Sequence, residues 1–122
     1  MRGAWLQPGT HLDLIGSFTP QMREADAACF ALSRVFVDTT EALAKSGDVA
    51  GAITEGAFAV ERLQGTLAEL CAGTRPGRAL ATERTLFKAV GSALEDLAAA
   101  ELVWSGLQRE SVCSAASTPA AA

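Results

Sequence analysis

An α/β fold built on a parallel sheet is the class this sequence predicts, and three observations carry it. Two segments about seventy residues apart, His11-Leu-Asp-Leu-Ile-Gly-Ser-Phe-Thr-Pro20 and Thr85-Leu-Phe-Lys-Ala-Val-Gly-Ser-Ala-Leu-Glu-Asp96, each join an apolar strand-like run to a Gly/Ser turn and then to a helix. That geometry presents backbone donors at the carboxyl edge of a parallel sheet, where ligands bind in such folds. Between them, Arg34-Val-Phe-Val-Asp38 is apolar on both sides of the strand, as expected where helices cover both faces. Helical stretches alternate with the strand-like runs, which is the α/β rhythm.

Taken in order, Trp5 to Gly9 reads as a loop that leads into a strand over residues 12–15, closed by Gly16-Ser17. Thr19 can cap a helix with Pro20 in its first position, where a missing N–H costs nothing, and residues 23–32 are helical in composition. Ala25, Ala28, Cys29 and Leu32 share one face of it. Residues 34–38 form the second strand, and Asp38-Thr-Thr-Glu41 reads as a capping box opening a short helix to about Lys45. Ser46-Gly47-Asp48 reads as a turn, and the glycine-punctuated residues 51–56 predict an irregular segment crossing between two structural parts. Thr66-Leu-Ala-Glu69 is a second capping box, placed on a helix over residues 63–71 with Leu63, Leu67 and Leu70 on its buried face, and ended by Gly73 and Pro76-Gly77. Residues 83–88 read as a strand. Ser92 with Glu95 caps a long helix to about Gln108, apolar nearly all round through Leu94, Leu97, Ala100, Val103, Trp104 and Leu107, so it should pack between neighbours or at a subunit interface. Beyond Glu110 the Ser/Ala/Pro run has no periodicity and reads as a disordered tail.

Composition narrows the partners. The 122 residues are 49% hydrophobic, enough for one small core. Ten basic residues face fourteen acidic ones, net charge −4, without a basic cluster, so neither nucleic acid nor an anionic membrane has electrostatic support as a partner. Three widely spaced cysteines match neither a disulfide framework nor a metal site, which points to a reducing, cytoplasmic setting; Cys29 and Cys71 read as small buried hydrophobes. No segment has the make-up of a signal peptide or of a membrane span.

Several motifs then carry a resemblance. Pro8-Gly-Thr-His-Leu-Asp-Leu-Ile-Gly-Ser-x-Thr-Pro-x-x-Arg-Glu24, Val35-Phe-Val-Asp38, Ser46-Gly-Asp48, Gly73-x-x-x-Gly-Arg78 and Thr85-Leu-Phe-Lys-Ala-Val-Gly-Ser-Ala-Leu-Glu-Asp-Leu-Ala-Ala-Ala100 occur in order and with family-like spacing. Over about residues 3–108 the chain resembles the ornithine cyclodeaminase/mu-crystallin family, and within it the bacterial ketimine reductases acting on Δ1-pyrroline-2-carboxylate and Δ1-piperideine-2-carboxylate. The resemblance implies an α/β chain: the C-terminal portion of a Rossmann NAD(P)-binding domain plus returning helices of a dimerisation domain. Residues 1–50 would be late Rossmann strands and helices, 51–110 a crossing segment and part of the dimerisation domain, and 111–122 the tail. The family's nucleotide-binding glycine turn and its substrate-binding lysine and arginine match nothing here, so the resemblance implies a partial member, inactive alone.

Carried over residue by residue, the family's NAD(P)H contacts fall on Leu14, Ile15, Gly16 and Ser17, and on Ala89 and Val90. Gly16 lets a ligand approach backbone without meeting a Cβ, and Ser17 has a hydroxyl to donate. A tight strand exit and an ordinary helix start would account for the same residues without any ligand. The next position, acidic in ornithine cyclodeaminases, is Phe18 here, and a phenyl ring cannot exchange a proton. This departure favours hydride transfer to a cyclic C=N bond over ornithine cyclisation. No catalytic residue and no metal ligand is assigned. His11, the one histidine and so a candidate acid/base, lies at the strand's start and away from the ligand edge and reads as structural; Arg23 and Glu24 read as fixing the turn by local pairing; Glu95-Asp96 reads as a pair with a capping and interface role; and Lys88, which could attract a cofactor phosphate, reads rather as a surface or interface lysine. The function implied is reduction of a cyclic imino acid to proline or pipecolate by a homodimeric full-length enzyme. The alternative is a non-enzymatic dimerisation or small-ligand-binding protein like mu-crystallin.

Overall fold

The computed structural model describes the backbone of residues 1–116 and the side chains of residues 1–109. It divides into two compact units, Met1–Gly91 and Ser92–Ala122. The first holds a four-stranded sheet of β1 (His11–Leu14), β2 (Arg34–Val37), β3 (Leu63–Thr66) and β4 (Thr85–Lys88), in spatial order β1-β4-β2-β3. Every neighbouring pair is parallel, with Leu14 opposite Lys88 and Val37 opposite the same residue from the other side.

The connections follow from the strand order. From β1 through β2 to β3 the chain steps one way across the sheet, by α1 (Ala27–Leu32), then α2 (Ala42–Lys45) and α3 (Gly47–Thr54). It then reverses through α4 (Leu67–Cys71) to place β4 between β1 and β2. Parallel crossovers keep one hand, so reversing direction puts the connecting helix on the opposite face. Accordingly Leu12, Leu14, Val35 and Leu86 form one core with Cys29, Phe30, Val49 and Ala52, whereas Phe36 and Phe87 look towards Leu67 and Leu70 of α4.

Local expectations fail where tertiary bonds claim the groups that local structure would have used. No helix starts at Pro20: Thr19 to Met22 is a turn, and the Thr19 carbonyl accepts the N–H of Gly47 at 3.1 Å. A Cβ on Gly47 would come within 2.3 Å of the Met22 carbonyl oxygen, so this glycine serves close backbone approach. The residues expected as a turn and an irregular crossing are therefore α3, capped by Ser46, whose hydroxyl accepts from Val49 N. α1 starts later than expected, at Ala27, with Asp26 as its cap.

Asp38 does not cap α2; its carboxylate reaches across to the turn that follows β4 instead, and Glu41 pairs with Lys45. Residues 63–66 are strand rather than helix, because pairing with β2 supplies their hydrogen bonds, and the helix begins only after Thr66. The capping box itself is present: Glu69 Oε2 accepts from Thr66 N at 2.8 Å, and Glu69 N donates to Thr66 Oγ1 at 3.4 Å. Cys29 is buried as expected, whereas Cys71 is exposed.

The second unit is α5 (Ala93–Ala116), which runs past Gln108 through the first part of the expected tail; residues 117–122 lie outside the described residues. Ser92 and Glu95 exchange the expected capping bonds at 3.1 and 3.4 Å. Leu94, Leu97, Leu102, Val103 and Trp104 are exposed on this helix. Among the described residues, no helix is long and apolar enough to cross a membrane.

Candidate functional site

The two Gly/Ser turns meet at the carboxyl edge of the sheet. β1 and β4 are adjacent and in register, and the Leu14 carbonyl accepts the Ala89 N–H at 3.0 Å, so Leu14 to Ser17 and Ala89 to Gly91 leave the sheet side by side. Their side chains divide sharply. Leu14, Ser17 and Ala89 are buried, while Ile15 is 65% exposed, Gly16 is exposed and Val90 is half-buried. Phe18, at 56% exposure, adds to the apolar surface.

Internal carboxylates already hold both turns. Asp38 Oδ2 accepts the N–H groups of Val90 and Gly91, each at 2.8 Å, and its Oδ1 accepts from Thr39 N. Glu24 Oε2 accepts the N–H of Ser17 at 2.9 Å and the ammonium of Lys88 at 2.8 Å. A Cβ on Gly16 would lie 2.9 Å from Glu24 Oε1, so a larger residue there would push the end of the Glu24 side chain aside. Burial pushes the Glu24 carboxyl up. The hydrogen bonds from Lys88 and from the Gly16 and Ser17 backbone, with the charge of Lys88, outweigh burial and hold its pKa below the usual 4.5.

Lys88 is not at the surface. It ends β4 on the core face, 0% exposed, with Asp48 Oδ2 at 3.6 Å as its second anion. Asp48 is equally buried, and its Oδ1 accepts from the N–H groups of Glu24 and Ala25 at 2.8 and 3.0 Å. The Ser17 hydroxyl also turns inward, to Ser46 Oγ at 3.1 Å and Asp48 N at 3.4 Å, rather than towards a ligand. Sequence reasoning reached Glu24 as a turn-fixing residue and missed Lys88 and Asp48. The signal available was the period of two along β4, which puts Lys88 on the face of Leu86.

This edge suits an uncharged flat ring more than a phosphate. Its exposed parts are Ile15, Phe18, Val90 and glycine backbone, and the N–H pair of Val90 and Gly91, which could cradle an anion, is filled by Asp38. The other candidates lie elsewhere. His11 bonds Thr85 Oγ1 at 2.8 Å at the amino end of the sheet, beside Arg78, which holds the Gly9 carbonyl and Thr85. Both border an apolar cleft of about 440 Å³ between the sheet and α4, lined by Phe36, Leu67, Leu70 and Phe87, whose polar rim is already paired. Arg23 pairs with Glu55 at 2.7 Å. Among the described residues no three His, Cys, Asp or Glu side chains are grouped to hold a metal ion.

Comparison with known proteins places these features in a context. The model of the ornithine cyclodeaminase/mu-crystallin family matches residues 1–111. A Delta(1)-pyrroline-2-carboxylate reductase of Paracoccus denitrificans is 43% identical over 105 residues, 83% of this chain and 32% of its own length. The Thermococcus litoralis Delta(1)-pyrroline-2-carboxylate reductase, solved with NADH and L-proline, superimposes with a TM-score of 0.82 at 34% identity, over 91% of this chain and 35% of that one. An archaeal alanine dehydrogenase dimer with bound NAD gives a TM-score of 0.77 at 29% identity, over 91% and 35%. The chain thus spans about a third of the length of the relatives it matches.

Proposed function

The chain belongs to the ornithine cyclodeaminase/mu-crystallin family, and from that premise we propose that it supplies the nicotinamide-side wall of an NAD(P)H site serving reduction of a cyclic imino acid such as Δ1-pyrroline-2-carboxylate. The observation that carries the reading is the in-register junction of the two turns at one sheet edge, the position where α/β folds bind dinucleotides. Ile15, Gly16 and Val90 would meet the ring; Leu14, Ser17 and Ala89 would contribute by fixing the backbone from inside.

When bound, the cofactor would supply a hydride to the C=N carbon of the N-protonated imine, whose nitrogen brings its own proton, so no side chain has to donate one in that step. This chain's residues bind, orient and exclude water: Ile15 and Phe18 offer apolar surface, and Asp38 and Glu24 hold the two turns still. With Phe18 in place of an acid, the exposed part of this edge offers no proton donor for cyclisation, which supports imine reduction. The 122 residues contain no Gly-x-Gly-x-x-Gly turn, so as a polypeptide by themselves they should not turn over substrate. A homodimer, joined in part through α5, and a reducing, cytoplasmic setting go with this reading.

Titration of the 122-residue chain with NADH and NADPH, followed by amide NMR, tests it. Binding should be weak, with Kd about 1 mM or above, and the shifted amides should be confined to Leu14–Ser17 and Ala89–Gly91. No shift at those amides, or saturable binding centred elsewhere, overturns the reading.

A further inference from the structure

A fully buried lysine at the end of a strand calls for a reason beyond stability. Exchanging a buried ion pair for apolar side chains is often neutral or stabilising. What Lys88 does that an apolar residue could not is hold Glu24. Glu24 Oε2 receives both Lys88 Nζ, at 2.8 Å, and the Ser17 N–H, at 2.9 Å, so a single oxygen joins the end of β4 to the exit turn of β1. Asp48 supports the joint from α3: its Oδ1 fixes the backbone of Glu24 and Ala25, and its buried Oδ2 has no hydrogen-bond partner and lies 3.6 Å from the same ammonium. The second turn, Val90-Gly91, is held separately, by Asp38.

We propose that Lys88 is a positioning residue for the ligand edge: acting through Glu24, it fixes the Gly16-Ser17 turn, and Asp38 fixes the Val90-Gly91 turn independently. The role towards a cofactor rests on the reading of this edge as a nicotinamide wall. Two clamps on one wall make a sharp expectation, because loss of the first should loosen one half of the wall and leave the other in place. A general loss of stability would loosen both.

The test is amide exchange and pH-dependent NMR on the full chain, as wild type, Glu24→Gln, Lys88→Met and the double variant that combines Lys88→Met with Asp48→Asn. Because Asp48 is the fully buried carboxylate beside the same ammonium, this double variant, read in the same way, serves if Lys88→Met alone does not fold. In Lys88→Met and in the double variant, Ser17 amide exchange should accelerate about tenfold or more, and that of Val90 and Gly91 by less than about twofold. In the wild type the Ser17 amide shift should follow the Glu24 carboxyl, which faces Lys88 of β4 and Asp48 of α3, with a midpoint below 4.5. Lys88→Met should move that midpoint upward, and Glu24→Gln should abolish the response. NADH-induced shifts at Ile15 and Gly16 should shrink in Lys88→Met while those at Ala89–Gly91 persist. Equal acceleration at both turns, or an unchanged Ser17 amide in a folded variant, overturns the clamp. Absence of NADH shifts in the wild type overturns the cofactor role, and the Ser17 result still decides the clamp.

Discussion

Cys29 and Cys71 carry the same thiol in opposite surroundings. Cys29 lies on the core face of α1, where burial first, and then the hydrogen bond and charge of Asp26, push its pKa up from 9.0 to about 11. Cys71, the last residue of α4, is exposed. Since the thiolate is the reactive form, iodoacetamide at pH 7.5 should label Cys71 about a hundredfold faster than Cys29 or more, and site-resolved mass spectrometry checks this. Comparable rates at both sites would mean that α1 does not cover the core as described. Burial separates these two residues; their sequence neighbourhoods, both apolar and helical, did not. Lys88 makes the same point for a charge, since nothing in Thr85-Leu-Phe-Lys88 announces that two carboxylates wait at Glu24 and Asp48.

Among the elements, two helix starts were legible from caps that bond within their own turn, whereas those of α3 and α1, which Ser46 and Asp26 cap equally locally, were not. Thr66 with Glu69 and Ser92 with Glu95 are both in place, because a capping box is complete within four residues and needs nothing from afar. Asp38 and Thr19 have the right chemistry for caps, but distant groups intervene: the N–H groups of Val90 and Gly91 take the Asp38 carboxylate, and the N–H of Gly47 takes the Thr19 backbone carbonyl that a helix would have used. The α1 cap is itself a long-range joint. Asp26 Oδ1 accepts from Cys29 N at 3.2 Å and also from Gly3 N at 2.9 Å, tying the amino-terminal residues to the helix. Asp26→Ala should therefore cost about 1–2 kcal/mol of stability in urea unfolding, with Asp26→Ser recovering part of it. A loss below about 0.3 kcal/mol would show that the cap contributes little.

For the whole molecule, strand order matters more than strand identity. Three of the four strands are recognisable as apolar runs, yet β4 lies between β1 and β2 although two strands precede it in sequence after β1. Only that insertion brings the two turns together. In the second unit, α5 exposes Leu94, Leu97, Leu102, Val103 and Trp104, more apolar surface than a helix in water normally leaves open. On the proposed homodimer, sedimentation should show concentration-dependent association that Leu97→Glu with Trp104→Glu weakens about tenfold or more. A monomer at all concentrations, unchanged by the substitutions, would remove α5 from the interface.

The sequence by itself determined the α/β class, the locally closed capping boxes and the two segments that form the ligand edge, because each is written in periodicity or in bonds spanning a few residues. The tertiary structure alone decided that residues 63–66 pair as a strand, that residues 47–54 are helical, and that Ser17 turns inward. It also decided that Lys88 and Asp48 are buried together behind Glu24. Apart from α3, whose cap is local, each of these depends on partners more than twenty residues away, and a hydrogen bond or ion pair at such range leaves no period in the sequence to read.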